Sequence, residues 1–296
     1  MLKKLFYPLV AFSLILNATL TFTSCSEDVV GEDDPVEEES GTKEDLAAMI
    51  MEIYSKASTG PQTVTDVHQL AILTSICAAR EVDGPISVTP ALLNGKEMTL
   101  VTLGGTEDTE GQATTMKESQ LAAFGKPNDY LTALVRLFET GKIPQEKPVM
   151  VTGISLGGMI AQQLLGQQDI LDRYEICAVV TFGSPITLPL DRKGVKLVRF
   201  ADVNDKVPQL GESLLRSGMI TKDQMSKDEL HDVLEALDTA EKHAQMSKYT
   251  DFIQTHALSY IEDSCWDIYD FFGEKPGTNV LELKEEMKFY PAPKLN

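Results

Sequence analysis

The residues Val149-Met150-Val151-Thr152-Gly153-Ile154-Ser155-Leu156-Gly157-Gly158 form a short apolar run that passes into a glycine-rich turn. The run is rich in β-branched residues and predicts a buried strand over Pro148 to Thr152, and the pattern from Ser155 to Leu165 predicts a helix. Gly153 and Gly157 lack the Cβ atoms that would collide where such a strand and helix nearly touch. A serine at this place in a G-x-S-x-G turn is presented beside the positive end of the helix. The context predicts a nucleophile; a glycine-rich turn in a non-catalytic α/β protein is the alternative.

Strands and helices alternate along the rest of the chain. Runs rich in Val, Leu and Thr predict further strands that are buried on both faces, at Glu97 to Leu103, Ile176 to Phe182 and Val195 to Phe200. Helical patterns cover Thr42 to Ser55, Asp66 to Ala79, Gln112 to Ala123, and Asp129 to Glu139 with Asn128 as its cap. This alternation predicts an α/β fold, with a mostly parallel central sheet flanked by helices.

The first residues have the order of an export signal. Lys3 and Lys4 precede an almost wholly apolar run from Leu5 to Leu16, which is short for a permanent membrane helix. Phe22-Thr23-Ser24-Cys25 resembles the lipobox of bacterial lipoproteins, in which the signal is cut before the cysteine and the cysteine is acylated. We therefore expect residues 1–24 to be a signal peptide and Cys25 to be the lipid attachment site, anchoring the protein to a bacterial outer membrane, with exposure on the cell surface as an option. An ordinary signal peptide is the alternative.

Composition distinguishes a disordered tether from a folded domain and argues against one class of partner. Residues 25–42 are strongly acidic with few apolar residues, which predicts a disordered tether, and residues 43–296 are long enough for one large domain. The formal net charge of the chain is −19, which argues against nucleic acid as a partner, since its phosphates need Lys and Arg. Besides Cys25, an odd number of cysteines remains, which predicts no disulfide framework: Cys77, Cys177 and Cys265.

A serine nucleophile needs a base that takes its proton and a carboxylate that orients the base. Only three histidines follow Ser155, and two of them, His231 and His243, stand in a charged helical stretch typical of a solvated surface. His256 has a partly apolar setting and is the favoured base. Past the predicted strand at 195–200, Asp202 and Asp205 compete for the role of the acid, and the pattern of residues alone leaves both open.

Five motifs in the same order resemble the class-three lipase family, which includes fungal triacylglycerol lipases. They are Gly104-Gly105-Thr106, Gly153 to Gly158, Thr181-Phe182-Gly183-Ser184-Pro185, Asn204-Asp205-Lys206-Val207-Pro208 and Thr255-His256-Ala257-Leu258-Ser259-Tyr260. The resemblance implies an α/β-hydrolase fold, a catalytic triad of Ser155, Asp205 and His256, and an oxyanion hole formed by Thr106 and Leu156. It also favours Asp205 over Asp202. The chain departs from the family in having Gly104 where Arg is usual and Ile154 where His is frequent, which affects the oxyanion loop and the pocket contacts.

The implied activity is that of a serine hydrolase that cleaves carboxylic esters, such as acyl glycerols or related lipids, and that needs no metal or other cofactor. Two alternatives remain: a carbohydrate-ester or peptide hydrolase, and a catalytically silent surface lipoprotein that uses the same fold for binding. Residues 209–250 predict a helical insertion before His256. It is either a cap over the pocket or a segment packed on the domain.

Overall fold

The computed structural model describes residues 60–79, 84–106, 110–187, 192–202, 205, 207–208, 260, 270–275 and 277–295. Several expectations lie outside these residues: the signal peptide and Cys25, the tether, the helix at 42–55, Cys265, the insertion at 209–250 and His256. In the described part, no helix has the length and apolar character needed to cross a bilayer.

One mixed sheet organises the described residues. Its strands are β1 (Gln62–Val64), β2 (Ile86–Leu93), β3 (Lys96–Leu103), β4 (Val149–Ile154), β5 (Ile176–Phe182), β6 (Lys196–Phe200), β7 (Leu281–Leu283) and β8 (Lys288–Tyr290). Their order across the sheet is β1-β7-β2-β3-β4-β5-β6, and β8 also pairs with β2. The strands from β3 to β6 are parallel, so their carboxyl ends lie along one edge.

Helices cover both faces of the sheet. They are α1 (Val67–Ala79), α2 (Met116–Ala123), α3 (Asp129–Glu139), α4 (Leu156–Leu164) and the short α5 (Gln168–Leu171). Alternate residues of β4 enter two separate cores: Met150 packs in the core that includes α1, whereas Val149 and Val151 pack in the core that includes α2, α3 and α4. The α/β class predicted from the alternation of elements is therefore confirmed.

Helix α3 shows how sequence spacing produces this packing. Its buried residues, Tyr130, Leu134 and Phe138, recur every four positions and so form one face of the helix. Asn128 has extended backbone angles, and its side-chain oxygen accepts a hydrogen bond of 2.8 Å from the N–H of Leu131. This is the cap predicted from the sequence.

The expectation of a mostly parallel sheet was wrong, because β1, β2, β7 and β8 all pair in antiparallel fashion. Strand β2 contains Pro90, which has no N–H to donate. The carbonyl of Pro90 accepts from Lys284, toward the side where β7 pairs with residues 91–93 and β8 with residues 86–88. Pro90 thus lies between the residues of β2 that pair with β7 and those that pair with β8. Its missing N–H therefore costs neither pairing a hydrogen bond.

The helix predicted from Gln112 begins only at Met116. Gln112 forms an isolated antiparallel bridge with Pro293, and the N–H of Ala113 donates to the carbonyl of Ala292 at 2.6 Å. Pairing with residues 292 and 293 keeps this part of the chain out of the helix. The helix starts after Thr115, whose hydroxyl accepts from the N–H of Glu118.

Candidate active site

Ser155 stands between the end of β4 and the first residue of α4, with φ 53° and ψ −121°. A residue with a Cβ atom rarely adopts positive φ, and the conformation costs of order 1–3 kcal/mol. Asn94 (φ 52°) is the only other non-glycine with positive φ in the described ranges, and it lies in the tight turn between β2 and β3. Ser155 does not lie in a hairpin turn, so a tight turn between paired strands does not explain its positive φ. The strained conformation presents the side chain at the tip of a strand-to-helix turn, as the sequence predicts.

Glycines make this turn possible because its parts lie too close for side chains. A Cβ atom at Gly153 would lie 2.4 Å from the carbonyl carbon of Gly157. One at Gly157 would lie 2.3 Å from the carbonyl oxygen of Leu103, at the end of the neighbouring strand β3. The turn is therefore packed against both its own helix and the adjacent strand end, which holds the strained serine in place.

The segment after β5 holds the turn from the other side. The N–H of Ser155 donates to the carbonyl of Phe182 at 2.9 Å, and the Ser184 hydroxyl donates to the carbonyl of Ser155 at 2.8 Å. A Cβ atom at Gly158 would lie 1.7 Å from the Ser184 Oγ, so the second glycine after the serine leaves room for this hydroxyl. The motif at 181–185 thus fixes the backbone of the candidate nucleophile.

The predicted oxyanion segment follows β3 and lies beside Ser155. The N–H of Gly104 donates to the carbonyl of Pro85 at 2.8 Å. The Tyr130 hydroxyl of α3 lies 3.0 Å from the carbonyl oxygen of Pro85 and 3.1 Å from that of Gly104, and it can donate to either. An ideal Cβ atom on Gly105 would lie 3.3 Å from the Ser155 Cβ. Thr106 comes next and is half-buried. On the other side of the serine, Leu156 begins α4, so its N–H has no acceptor within the helix.

Asp205 lies beyond the end of β6, two strands away from β4 in the sheet. Two strand spacings correspond to roughly 10 Å, which is the separation of β4 and β6 across the sheet. The carboxylate is 1% exposed. Its Oδ2 accepts from the Tyr260 hydroxyl at 2.8 Å, and its Oδ1 accepts from the N–H of Val207 at 2.9 Å. These contacts fix the orientation of the carboxylate.

The two aspartates near this strand end have different environments. Asp202 is partly exposed and contributes through its backbone, since its N–H donates to the Tyr260 hydroxyl at 3.0 Å and its carbonyl accepts from the N–H of Asp205 at 3.2 Å. Asp205 is the more deeply buried of the two residues, and both of its carboxylate oxygens accept hydrogen bonds.

Tyr260 connects the acid to the sheet. It is 1% exposed and packs edge-on against Phe182, with ring centroids 6.3 Å apart. Burial, together with the neighbouring Asp205 carboxylate, raises the pKa of the Tyr260 hydroxyl far above its ordinary value, outweighing the N–H of Asp202 that it accepts. The phenol therefore stays protonated and keeps donating to the carboxylate throughout the neutral and mildly alkaline range.

His256 lies outside the described residues. It precedes Tyr260, whose hydroxyl bonds to Asp205, by four positions in the sequence. Of the five predicted site residues, Ser155, Leu156, Thr106 and Asp205 are all at the carboxyl edge of the parallel strands or in the segments that follow them.

No protein-family model, curated protein or solved structure matches this chain. Among the residues that the structure describes, no three His, Cys, Asp or Glu side chains are grouped closely enough to hold a metal ion.

Three contributors to the site have no role assigned from the sequence. Ser184 and Tyr260 belong to the motifs at 181–185 and 255–260, which marked them as part of the site. Their hydrogen-bond partners are distant along the chain, so the sequence did not reveal what they contact. Gln162, fully buried on α4, donates to the carbonyl of Pro185 at 3.0 Å, and its Oε1 accepts from Arg199 of β6 at 2.8 Å. It ties the segment after β5 to the helix that follows Ser155, and no local pattern marks it.

Proposed function

We propose that this chain is a serine hydrolase that cleaves carboxylic esters, with Ser155, Asp205 and His256 as its catalytic triad. The observation that carries the proposal is the strained backbone of Ser155, at φ 53°, in a glycine-packed turn between a parallel strand and a helix. Proteins keep such strain where surrounding structure fixes it for a purpose. The resemblance of the five motifs to class-three lipases supports the same reading and suggests the α/β-hydrolase arrangement for the sheet.

In the proposed reaction, His256 takes the proton of Ser155 while the serine Oγ attacks the ester carbonyl carbon. The Leu156 N–H and Thr106 stabilise the negative charge that develops on the carbonyl oxygen. His256 then protonates the leaving alcohol as the ester bond breaks, and water attacks the acyl-enzyme to release the acid. Asp205, held by Tyr260 and Val207, fixes the imidazole tautomer and stabilises its charged form.

Neutral lipid esters such as acyl glycerols are the proposed substrate class. The resemblance points to lipids, and the net charge of −19 disfavours anionic phospholipids because like charges repel at low ionic strength. We propose further that acylated Cys25 anchors the enzyme at a membrane surface, where such substrates are found. The helical insertion proposed for 209–250 is then placed in sequence to act as a cap.

Steady-state hydrolysis of a short-chain p-nitrophenyl ester and of a neutral triacylglycerol tests this proposal. The Ser155→Ala variant should lower kcat by roughly 10³-fold or more, as removal of a triad serine does elsewhere. Hydrolysis of an acetylated sugar or a peptide in preference to both esters would reassign the substrate. Wild-type protein without turnover on the whole panel would favour a binding role.

The chain offers matched controls for the other two members of the triad. His256→Ala should abolish turnover, whereas His231→Ala and His243→Ala should retain it, because only the first is assigned as the base. Asp205→Asn should lower kcat by roughly 10³–10⁴-fold, since an amide favours the wrong imidazole tautomer, and Asp202→Asn should stay within a few-fold of wild type. Equal losses in the two aspartate variants would overturn the assignment of the acid.

A further inference from the structure

Two hydroxyl groups connect helix α2 to the segment beside the nucleophile. The Oγ atoms of Thr106 and Ser119 are 2.7 Å apart, and either of them can be the donor. Ser119 is 9% exposed, and its Oγ also lies 3.3 Å from the carbonyl oxygen of Thr115, to which it can donate. Thr106 directly follows Gly105, where an added Cβ atom would lie 3.3 Å from the Ser155 Cβ. A continuous line of polar atoms thus runs from a helix carbonyl to the oxyanion segment.

Counting protons shows that this line has two arrangements. A hydroxyl carries one proton but can accept two hydrogen bonds. If Ser119 donates to the Thr115 carbonyl, then Thr106 must donate its own proton to Ser119 and has none for a substrate. If Ser119 instead donates to Thr106, the Thr106 proton is free to point elsewhere. The two arrangements differ only in the rotation of hydroxyl protons.

We propose that Ser119 is a positioning residue: while the Thr106 proton points at the developing oxyanion, Ser119 donates a hydrogen bond to the Thr106 oxygen, which orients and polarises that hydroxyl. The inference rests on the proposed ester hydrolysis and adds a residue to it. Negative charge on the substrate oxygen favours the second arrangement, because aligned hydroxyl groups polarise one another. In the resting state the Thr115 carbonyl takes the Ser119 proton, so neither hydroxyl is left without an acceptor.

Helix α2 holds Ser119 rigidly enough for this role. Thr115 caps the helix, and the Glu118 carboxylate, 5% exposed, accepts from the N–H of Asp129 at 2.9 Å at the start of α3. Gln163 of α4 donates to the carbonyl of Ala122 at 2.5 Å. Because these contacts tie α2 to both α3 and α4, they hold the position of Ser119 beside Thr106.

A double-mutant cycle on ester hydrolysis tests the inference, with each rate normalised to the sites titrated by a fluorophosphonate. Thr106→Val removes one oxyanion donor at nearly constant shape and should lower kcat by about 100-fold. Ser119→Ala removes only its support and should lower kcat by about tenfold, with KM within twofold. The double variant should be no slower than Thr106→Val alone, because Ser119 acts only through the Thr106 hydroxyl.

Ser75→Ala is the matched control, since the Ser75 hydroxyl bonds the carbonyl four residues earlier on α1, at 2.8 Å, on the other face of the sheet. It should leave kcat unchanged. If active wild-type enzyme and Ser119→Ala have equal kcat, or if the two losses multiply to about 1000-fold in the double variant, Ser119 has no such role. If wild-type protein neither reacts with the fluorophosphonate nor turns over the ester, the proposed function itself is wrong and this inference falls with it.

Discussion

The Tyr260→Phe variant removes a single oxygen atom at the junction between the acid and the sheet. That oxygen donates to the Asp205 carboxylate at 2.8 Å and accepts from the N–H of Asp202 at 3.0 Å. The aromatic ring, packed against Phe182, is retained. The variant therefore separates the hydrogen bonds of Tyr260 from its packing.

The expected loss of stability follows from these two bonds. A hydrogen bond to a buried charged group contributes about 1.5–3 kcal/mol, and one between neutral groups contributes about 0.5–1.5 kcal/mol. The free energy of unfolding, measured by urea denaturation, should therefore fall by roughly 2–4 kcal/mol. Because the carboxylate also loses one of the partners that orient it, kcat for ester hydrolysis should fall by about tenfold in the folded variant, the rate equivalent of ~1.4 kcal/mol.

Tyr174→Phe provides the comparison. Tyr174 is also buried, and its hydroxyl donates to the carbonyl of Phe138 at 2.5 Å, in the core beneath α3. It precedes β5 by two residues and so lies at the amino end of that strand, away from the carboxyl ends where Ser155 and Asp205 follow. This variant should lose stability while its kcat stays within twofold of wild type. If Tyr260→Phe lowers stability without lowering kcat, then Tyr260 supports the fold only, and the reasoning that it orients the acid is refuted.

Two further predictions concern the glycine-rich turn at Ser155 and the half-buried thiol of Cys177. Gly158→Ala should lower the free energy of unfolding in urea by about 1–3 kcal/mol or more, because the added methyl would lie 1.7 Å from the Ser184 hydroxyl oxygen. Adding Ser184→Gly should restore part of this loss. If the effects of the two substitutions simply add, the predicted clash is wrong. Burial raises the pKa of the Cys177 thiol to about 11, so the folded state keeps this proton at pH values where the unfolded chain releases it. Stability from this group is full well below pH 9 and is lost as the pH rises from about 9 to 11, by at most ~2.7 kcal/mol, since each pKa unit corresponds to ~1.4 kcal/mol. Cys177→Ala should remove that part of the alkaline decline, and an identical decline in both proteins would rule it out.

Local patterns predicted the elements that build the candidate nucleophile. The run from Ile176 to Phe182 is the strand β5 with the same bounds, and α3 spans Asp129–Glu139 under its Asn128 cap as expected. The strand, turn and helix around Ser155 also occur where the spacing of apolar residues and glycines predicts them. These features depend on residues that are close to one another in the sequence, within about one helical turn. The spacing of residue types along the sequence can therefore predict them.

The antiparallel half of the sheet was missed because its pairing is long-range. Strands β7 and β8 have only three residues each, too few for a period to be visible, and they pair with residues of β2 about 190 and about 200 positions earlier in the chain. Strand β2 did have a signal, since Asn94-Gly95 is a favoured hairpin turn and both residues have positive φ. Pro90 obscured it, because proline argues against a strand in the middle of a sheet.

The supporting contacts of the site were likewise beyond local reasoning. Tyr260 meets Asp205 across 55 positions, and Ser184 meets Ser155 across 29. Sequence motifs mark such residues without saying what they touch. The geometry supplies the roles: one hydroxyl orients a carboxylate, and the other holds the backbone of the serine.

Reaction of the protein with a fluorophosphonate, followed by mass spectrometry of the labelled peptide, tests the central claim that Ser155 is an activated nucleophile. We expect one adduct per chain, on Ser155, that is lost in Ser155→Ala and strongly reduced in His256→Ala. Folded wild-type protein that carries no adduct, or that carries it on a different serine, would contradict the account.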